Sequence, residues 1–318
     1  MVKNKMRVFE TARVGPGDRM LFPFSFGPHL GFWLAFDAAA QLGCLNIPAG
    51  GMSTEARLQA IRENRISVLC CSPTYALRLG ESAGASDIGG APSSVRAIIV
   101  GGEPGGSIPA VVSRIESFWP GARVYDHHGM TEIGSVSYPC PQRQGVLHVI
   151  ESSYVAEIID PQNGHPAMLG ATGELVLTNL GRTGSPLLRY RTGDLVRAES
   201  AGQCSCGSWD LALAGGILGR LDDMVVIRGV NVYPSAVEDI VRSFPDIADF
   251  RAEIRKRREM AELRLLIEPS AECPHPSELE ALLQGKLRAT LALRVSVDVV
   301  PVGTLPHFEL KTNRWIRR

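Results

Sequence analysis

Residues 95–132 read VRAIIVGGEPGGSIPAVVSRIESFWPGARVYDHHGMTE, and this stretch decides the fold. The runs VRAIIV and ARVYD are strand candidates, and the segment SIPAVVSRIESF between them has the apolar spacing of a helix. Such strand–helix–strand alternation predicts two parallel strands joined by a crossover helix. Ligands collect at the carboxyl ends of strands in sheets of this kind, and GGEPGG and YDHHGMTE both follow a strand candidate there.

The same alternation extends back to residue 20. Three earlier apolar runs, MLFPF, CLNIP and SVLCCS, are further strand candidates. The segments HLGFWLAFDAAAQLG, STEARLQAIREN and TYALRLGES carry helical spacing. We therefore predict an α/β fold whose parallel sheet is covered by helices.

Two further sequence patterns follow this α/β part. From about residue 147 to 200 the close-spaced runs LHVIE, YVAEIID, GELVLTNL, LLRYRTG and DLVRAE predict an antiparallel β subdomain. From about residue 223 the order strand–helix–strand–strand–helix–strand predicts a small α+β domain. Capping boxes are expected at the starts of its two helices, formed by Ser235 with Glu238 and by Ser277 with Glu280.

These sequence patterns predict the domain organisation. An N-terminal domain is expected over residues 1–221, with an α/β part at 1–146 and a β subdomain at 147–221. A small C-terminal domain is expected over residues 222–318, and the charged, glycine-led junction GRLDDM is a candidate hinge between the two.

Composition excludes several classes of protein. The 318 residues carry 33 lysines and arginines against 33 aspartates and glutamates, so no global charge attracts nucleic acid or an anionic membrane. No apolar run approaches the roughly 20 residues of a membrane span, and the start has no signal-peptide pattern. Seven cysteines in a chain of this length do not form a disulfide scaffold. We expect a soluble, cytoplasmic, reduced protein.

Each motif taken singly leaves its function open. The two histidines of YDHHGMTE invite a metal site, but adjacent side chains point in different directions and rarely bind one ion. The Gly-Met-Thr-Glu that follows invites a nucleotide site instead. GGEPGG alone is equally well a turn, and LRYRTGD an ordinary strand and turn.

The order of the blocks is more specific. GGEPGG, YDHHGMTE, GELVLTN, LLRYRTGDLV, GRLDDMVVIRGVNVYPSAVE and LPHFELK follow one another between residues 101 and 311. This order resembles that of the acyl-adenylate-forming (AMP-dependent synthetase/ligase) superfamily, and SFGPHLGFW and VLCCSPTYALRL extend the resemblance to its phenylacetate–CoA ligase branch. The resemblance runs from about residue 15 to 318. It implies an ATP-dependent carboxylate–CoA ligase acting through an acyl-adenylate, with histidines lining the pocket.

The resemblance also implies the nucleotide site. The GGEP loop would carry the adenine, Thr131 would bond the α-phosphate, Glu132 would bind Mg²⁺, and Asp194 would accept both ribose hydroxyls. Arg220 would approach the ribose and phosphate. The full set of expected nucleotide-binding residues is Gly101, Gly102, Glu103, Pro104, Asp126, His127, Gly129, Met130, Thr131, Asp194 and Arg220.

Catalysis would rest on four of the family's positions. Lys311, in LPHFELK, would bridge the attacking carboxylate and the α-phosphate as charge builds between them. Thr131, Glu132 and Arg220 complete the expected catalytic set. Asp222 falls at the superfamily's hinge, about which the small domain rotates between the adenylation and thioester-forming steps.

Arg228 and Gly229 would lie near the pantetheine arm of coenzyme A. The acyl pocket would be apolar and aromatic, which suits an aryl or arylacetic acid such as phenylacetate. Its expected residues are Phe24, Phe26, Tyr75, His127 and Ile133, with core packing as the alternative for each phenylalanine. The implied partners are a carboxylic acid, ATP and coenzyme A, and a homodimer stays open.

Four soft ligands raise a separate zinc hypothesis. Cys140 and His148 lie eight positions apart, and Cys204 and Cys206 bracket one serine 56 residues further on. Two such pairs fit tetrahedral zinc, although Cys-x-Cys is tighter than the usual Cys-x-x-Cys, and buried or reactive thiols are the alternative. Some phenylacetate–CoA ligase relatives carry a Cys/His cluster in these blocks. With all four positions filled, the ion would be structural.

The family's phosphate loop is not found before the first matching block. That loop is rich in glycine, serine and threonine and cradles the β- and γ-phosphates through its backbone N–H groups. We therefore expect this chain to be poor at the ATP step. Three hypotheses stay open: a carboxylate–CoA ligase, an adenylating enzyme that passes the acyl group to a carrier protein or an amine, and a homologue that binds the nucleotide without turnover.

Overall fold

The computed structural model of the chain describes residues 1–27, 29–85, 94–199, 202–228, 230–257, 260–271, 273–305 and 314–317. These form two compact units, Met1–Leu218 and Gly219–Arg318. The division falls close to the boundary expected between residues 221 and 222. Within the described ranges, no helix is long and apolar enough to cross a membrane.

A five-stranded parallel sheet lies at the centre of the first unit, with its strands in the order β2-β1-β3-β4-β5. The strands are β1 (Arg19–Phe22), β2 (Leu45–Pro48), β3 (Val68–Cys71), β4 (Ala97–Val100) and β5 (Arg123–Asp126). All four residues of β3 and of β4 are buried, as a parallel sheet covered on both faces requires. The predicted α/β fold class is confirmed.

Five helices cover this sheet. They are α1 (Val2–Thr11), α2 (Leu30–Gln41), α3 (Thr54–Glu63), α4 (Pro73–Ala85) and α5 (Pro109–Phe118). Helices α2, α3 and α5 lie within the segments predicted from their apolar spacing, and α4 extends beyond its predicted segment at both ends. The Ser53 hydroxyl caps α3 by accepting a hydrogen bond from the backbone of Ala56. The sequence patterns did not predict helix α1, whose residues are mostly polar.

Alternate residues of each strand build two separate cores, one on each face of the sheet. Phe22 and Cys70 belong to the first core, and their neighbours Leu21 and Cys71 belong to the second. Helices α3, α4 and α5 supply the second core. The first core combines α1 and α2 with apolar residues of the β subdomain. The sheet and the β subdomain therefore share one core.

The β subdomain begins earlier than residue 147. Its strands are β6 (Gly129–Met130), β7 (Gly134–Ser135), β8 (Ser137–Pro139), β9 (Val146–Val149), β10 (Tyr154–Ile159), β11 (Thr172–Asn179), β12 (Tyr190–Arg197) and β13 (Ala212–Ala214). Strands β10, β11 and β12 pair antiparallel, and β9 pairs antiparallel with both β8 and β13. The predicted antiparallel character is confirmed, but the β8–β9 pairing extends the subdomain towards β5.

The runs LLRYRTG and DLVRAE were predicted as two strands, and this was wrong. Both contribute to the single strand β12. Gly193 has φ 75°, a left-handed conformation that glycine adopts without strain, and the ladder shifts between Glu174 and Val176 on the partner strand. The expected turn is thus a local irregularity inside one strand.

The second unit is a small α+β domain, as predicted. Its elements are β14 (Gly219–Arg220), β15 (Val225–Ile227), β16 (Val230–Val232), α6 (Pro234–Arg242), β17 (Ile247–Arg257), β18 (Met260–Pro269), α7 (Pro276–Leu291), β19 (Ser296–Val299) and β20 (Trp315–Arg317). The main sheet has the order β19-β18-β17-β20, whereas β15 pairs with β16 in a separate ribbon. The first predicted strand is therefore not part of the main sheet.

The two predicted capping boxes were also wrong. Helix α6 begins at Pro234 with Tyr233 as its N-cap, and α7 begins at Pro276 with His275 as its N-cap. Neither cap residue makes a side-chain capping hydrogen bond. Proline has no N–H and its fixed φ suits the first helical position, so each helix begins before the serine expected to cap it.

Two glycines of α4 test how closely the helices of the second core are packed. A Cβ on Gly80 would lie 2.5 Å from Phe118 Cβ, whereas a Cβ on Gly84 would have no neighbour within 4 Å. We expect Gly80→Ala to lower the free energy of unfolding by about 1–3 kcal/mol through overpacking. Gly84→Ala should raise it by up to about 1 kcal/mol through helix propensity. Chemical denaturation measures both, and equal effects would contradict close α4–α5 packing.

Candidate functional site

The carboxyl ends of β4 and β5 carry two of the predicted nucleotide motifs, and the structure brings these motifs into contact. A Cβ on Gly101 would lie 2.6 Å from His127 Cε1, so only glycine lets the GGEP loop approach that ring. Gly102 has φ +88°, which also favours glycine. Glu103 Oε1 accepts a hydrogen bond of 2.8 Å from the backbone N–H of Thr74, at the start of α4. Pro104 is exposed.

Asp126, the last residue of β5, fixes the start of the next loop. Its Oδ2 accepts a hydrogen bond of 2.5 Å from Ser107 Oγ. A Cβ on Gly106 would collide with Asp126 Oδ1, so the glycine makes room for this carboxyl group. The residue keeps some solvent exposure, but its carboxyl group is enclosed, and this burial raises its pKa to about 6.

Both ring nitrogens of His127 have partners inside the protein. Nδ1 lies 2.7 Å from the carbonyl oxygen of Val100, to which it donates. Nε2 lies 2.6 Å from Nζ of Lys5, a residue of α1 that is 2% exposed. Burial, followed by the Lys5 charge, holds the pKa of His127 well below its ordinary value. His127 is thus a neutral residue of the site wall.

His128 connects the same loop to the third nucleotide motif. Its Nε2 lies 3.0 Å from Oδ2 of Asp194, which is on β12 and is 4% exposed. The backbone N–H of Asp194 donates to Oγ of Thr192, which helps to fix the carboxylate. The motifs GGEPGG, YDHHGMTE and RYRTGD therefore meet in the first unit, although 91 residues separate Glu103 from Asp194.

The rest of YDHHGMTE lies nearer the surface. Gly129 and Met130 form the short strand β6, and a Cβ on Gly129 would lie 2.8 Å from the carbonyl oxygen of Gly134. Thr131 and Glu132 are exposed. The Arg182 guanidinium donates to the backbone carbonyl of Glu132, which leaves the Glu132 carboxylate oxygens outside this contact. An exposed carboxylate beside the nucleotide motifs suits the predicted Mg²⁺ ligand.

Several predicted residues belong to the second unit. Arg220 and the predicted hinge residue Asp222 form a two-pronged ion pair, with both nitrogen–oxygen distances at 2.9 Å. This pair lowers the pKa of Asp222. Arg228 Nη2 lies 2.5 Å from Glu262 Oε1. Gly229 and Lys311 lie outside the described residues.

The structure brings together part of the predicted acyl pocket. The Phe24 and Phe26 rings meet edge to face with their centroids 5.4 Å apart, and Ile133 belongs to the same core as Phe24. Tyr75 belongs to the second core, on the other face of the sheet, where its hydroxyl lies 2.5 Å from Arg57 Nη1. Tyr75 is therefore separated from the other apolar candidates.

The four predicted zinc ligands converge on one point. The ligand atoms of Cys140, His148, Cys204 and Cys206 all lie within 4.8 Å of one another. Cys140 Sγ is 3.8 Å from Cys204 Sγ, and Cys206 Sγ is 3.4 Å from His148 Nε2. Tetrahedral zinc would set these separations at about 3.8 Å and about 3.6 Å. These two separations match those around such an ion, and the other pairs of ligand atoms lie within 4.8 Å.

The surroundings of this cluster also match a metal site. His148 Nδ1 lies 2.9 Å from the carbonyl oxygen of Asp210, so its proton is on Nδ1 and its Nε2 lone pair faces the cysteines. The backbone N–H of Cys206 donates to the Cys204 sulfur and lowers the pKa of that thiol. The cluster joins β9 to the loop before β13, which explains how residues so far apart in sequence come together.

Two side chains at the site had not been identified from the sequence. Lys5 could only have been found by recognising α1 as an amphipathic helix whose buried face includes a lysine. Arg182 gave no signal, because its contact with the Glu132 carbonyl depends on the fold of the β11–β12 connection.

Asp126→Asn tests the enclosed carboxyl group. In the unfolded chain the carboxyl group titrates near its ordinary value of 3.8, and in the folded protein its pKa is about 6. A raised folded pKa means that stability falls as pH rises from 3.8 to 6. Relative to the Asp126→Asn variant, the wild-type chain should lose up to about 3 kcal/mol of unfolding free energy across this window. Urea denaturation at several pH values measures this difference, with the exposed Asp37→Asn as control. A flat difference for Asp126→Asn would contradict the enclosure.

Comparison with known proteins agrees with this geometry. The AMP-binding enzyme family model matches residues 1–181, and the AMP-binding enzyme C-terminal domain model matches residues 229–318. The phenylacetate–coenzyme A ligase of Thermus thermophilus is 29% identical, over 96% of this chain and 74% of its own length. The ligase of the same name from Escherichia coli K12 is 29% identical, over 97% of this chain and 71% of its own length.

A solved structure has the same fold. It is that of 2-hydroxyisobutyryl-CoA ligase in the postadenylation state in complex with R3-HIB-AMP, with a TM-score of 0.86 at 26% identity. The match covers 100% of this chain and 69% of that one. The sequence-based recognition is confirmed, and since the first family model alone covers more than half of the residues, the chain belongs to the AMP-binding enzyme family.

Proposed function

We propose that the chain is a carboxylate–CoA ligase that uses ATP and acts through an acyl-adenylate. A carboxylate oxygen attacks the α-phosphorus of ATP and releases pyrophosphate, and the thiol of coenzyme A then attacks the acyl carbon and releases AMP. The meeting of three nucleotide motifs, with His128 in contact with Asp194, is the observation that carries this proposal. The names of the phenylacetate–coenzyme A ligases among its relatives agree with it.

The first step has to overcome repulsion between a carboxylate and a polyphosphate. Preorganised cations and hydrogen-bond donors achieve this best. In our proposal the exposed Thr131 hydroxyl bonds the α-phosphate, the Glu132 carboxylate holds Mg²⁺, and Asp194 accepts the ribose hydroxyls. Mg²⁺ supplies positive charge against the phosphates. Lys311 would add a second positive charge where the carboxylate meets the α-phosphate.

The second step is proposed to follow rotation about Asp222. The paired Arg220 and Asp222 are 41% and 66% exposed, so opening their ion pair costs little. Arg220 could then exchange Asp222 for the ribose and phosphate of the nucleotide. Arg228 and Gly229 are proposed to lie near the pantetheine arm of coenzyme A during this step.

The acid is proposed to be an aryl or arylacetic acid such as phenylacetate. The aromatic cluster around Phe24 and Phe26 supports this choice, since Phe32 stacks on Phe24 with the ring centroids 4.0 Å apart. Apolar aromatic walls favour a flat apolar acyl group. Ile133 and the neutral ring of His127 are proposed as further walls, whereas Tyr75, on the opposite face, is a weaker candidate.

We also propose that Cys140, His148, Cys204 and Cys206 hold one structural zinc ion. The convergence of their ligand atoms and the lone pair of His148 support it. An ion bound by four protein ligands has no open position for a substrate, so its contribution is to stability. It would fasten β9, which carries His148, to the loop of Cys204 and Cys206.

The proposed function is tested by measuring the two half-reactions separately. Phenylacetate-dependent ATP–pyrophosphate exchange reports adenylation, and release of AMP from supplied phenylacetyl-adenylate with coenzyme A reports thioester formation. Lys311→Ala should slow adenylation by about 10²–10³-fold, because it removes one preorganised charge. It should leave thioester formation nearly unchanged. The exposed Lys286→Ala of the same unit is the matched control.

Three results would count against this assignment. Equal loss of both half-reactions in Lys311→Ala would remove the lysine from the chemistry. Transfer of the acyl group to an amine or a carrier protein, with none to coenzyme A, would identify an adenylating enzyme of another class. Absence of both half-reactions for every arylacetic acid tested would contradict the ligase proposal.

The zinc proposal is tested by elemental analysis of protein purified without added metal. We expect one zinc per chain in the wild type, and less than half of that in Cys204→Ser and Cys206→Ser, since each variant removes one thiolate ligand. Cys273→Ser, outside the cluster, should keep its zinc. Chelation should lower the melting temperature of the wild type and of Cys273→Ser. A zinc content near zero in well-folded wild type would refute the site.

A further inference from the structure

Arg182 places a positive charge beside the nucleotide motifs. Its guanidinium donates to the backbone carbonyl of Glu132. Among the described residues, no carboxylate forms an ion pair with it. Arginine stays charged at every physiological pH and offers several N–H donors in a planar fork. Because its partner is a neutral carbonyl, the guanidinium keeps its full charge and most of its donors for an anion.

The turn that Arg182 contacts is itself held in place. This turn carries Thr131 and Glu132 and joins β6 to β7, which pair antiparallel. At its end, the buried hydroxyl of Tyr154 donates to the carbonyl of Ile133 at 2.8 Å. The guanidinium is therefore anchored on a backbone group with a defined position.

Asn179 closes the β11–β12 connection on which Arg182 lies. Its backbone N–H donates to the carbonyl of Leu187 at 3.1 Å, and its side-chain oxygen accepts from the Leu187 N–H at 3.0 Å. The side-chain amide donates to the carbonyl of Ser185 at 3.2 Å. These three hydrogen bonds hold the two ends of the connection together, so the segment that carries Arg182 starts and ends at fixed points.

The neighbours of Arg182 leave its surroundings open. Gly181, Thr183, Gly184 and Ser185 are exposed, whereas Arg182 itself is partly exposed. A Cβ on either glycine would have no neighbour within 4 Å. The backbone beside the guanidinium is therefore accessible to a ligand. Successive backbone N–H groups in such turns can add to the binding of a phosphate.

The order of the proposed contacts indicates which phosphate Arg182 would meet. Asp194 is proposed to bind the ribose, and Thr131 the α-phosphate. Glu132 follows Thr131 directly, and it is the carbonyl of Glu132 that Arg182 contacts. The contacts thus follow the nucleotide from its ribose to its α-phosphate, and the next group along ATP is the β-phosphate.

We propose that Arg182 binds the β- and γ-phosphates of ATP, and the pyrophosphate that they form in the first step. The inference rests on the proposed function, because it takes Asp194 and Thr131 as the ribose and α-phosphate sites. When the bond between the α-phosphorus and its bridging oxygen breaks, the electron pair leaves with pyrophosphate. A guanidinium that donates two parallel hydrogen bonds to the phosphates stabilises this growing charge.

Two substitutions separate the charge of Arg182 from its shape. Arg182→Gln removes the charge and keeps a polar side chain. Arg182→Lys keeps the charge but loses the planar fork that matches two phosphate oxygens. Arg197→Gln is the matched control, since Arg197 is an exposed arginine at the far end of β12 from the β11–β12 connection.

The test is calorimetric binding of ATP and of AMP to the full chain in the presence of Mg²⁺, with pyrophosphate measured by its displacement of ATP. Arg182→Gln should weaken the binding of ATP and pyrophosphate by about 10- to 100-fold, the loss of a charge-assisted hydrogen bond, and leave AMP binding unchanged. Arg182→Lys should fall between the wild type and Arg182→Gln. Added salt should weaken ATP binding more in the wild type than in Arg182→Gln, because it screens the lost charge. Arg197→Gln should bind all three ligands as the wild type does.

The comparison of ATP with AMP separates phosphate recognition from a structural role. Equal weakening of both in Arg182→Gln would overturn the inference, because Arg182 would then support the turn or bind the α-phosphate. Unchanged ATP affinity in Arg182→Gln, or a wild type that binds AMP but not ATP, would also overturn it and leave the adenylate site standing. No binding of AMP or of a non-hydrolysable phenylacetyl-adenylate analogue to the wild type at millimolar concentration would overturn the proposed function as well.

Discussion

Burial of both faces of the five-stranded parallel sheet is the constraint on which the first unit depends. All residues of the apolar strands β3 and β4 are buried, so both faces of the sheet must be covered there. Helices α3, α4 and α5 cover one face, but α1 and α2 cover the other only together with β8, β9, β11 and β12. The β subdomain is therefore part of the core of the sheet. This shared core brings Asp194 of β12 to the carboxyl end of β5, so the candidate site is a consequence of packing.

Burial shifts the pKa values of the polar side chains near the carboxyl end of β5. Lys5, Asp126 and His127 are enclosed by protein, and burial raises the pKa of Asp126 and lowers the pKa values of Lys5 and His127. Each of these shifts favours the neutral form, as expected for groups taken out of water. The loop after β5 is thus held by hydrogen bonds in surroundings that oppose charge on these three side chains.

Much of this architecture could be predicted from the sequence. The five parallel strands and α2 to α5 follow from apolar periodicity, because each run is short, bounded and repeated in one order. The assignment of turns and helix caps from short motifs was less successful. Gly193 reads as a turn but lies inside β12, and the serines expected to cap α6 and α7 follow prolines that begin the helices first. Tyr75 was grouped with Phe24 because both lie near blocks that resemble the family, but such a resemblance does not say which face of the sheet a residue occupies. The convergence of Cys140 and His148 with Cys204 and Cys206 was anticipated as a pattern of ligand types, but their distances depend on the pairing of β9 with β13.

The position of α1 has a consequence for the order in which this core can assemble. The Asn4 amide donates to the carbonyl of Ser135 and to the hydroxyl of Tyr154, and its oxygen accepts from Ser153. On the ribosome, α1 leaves the exit tunnel long before these partners exist. At about 5–20 residues per second, the delay is roughly 7–30 seconds. Of the contacts that α1 makes in this structure, only those with α2 and the first strands can form before then. The first core is therefore completed only when α1 meets the strands of the β subdomain.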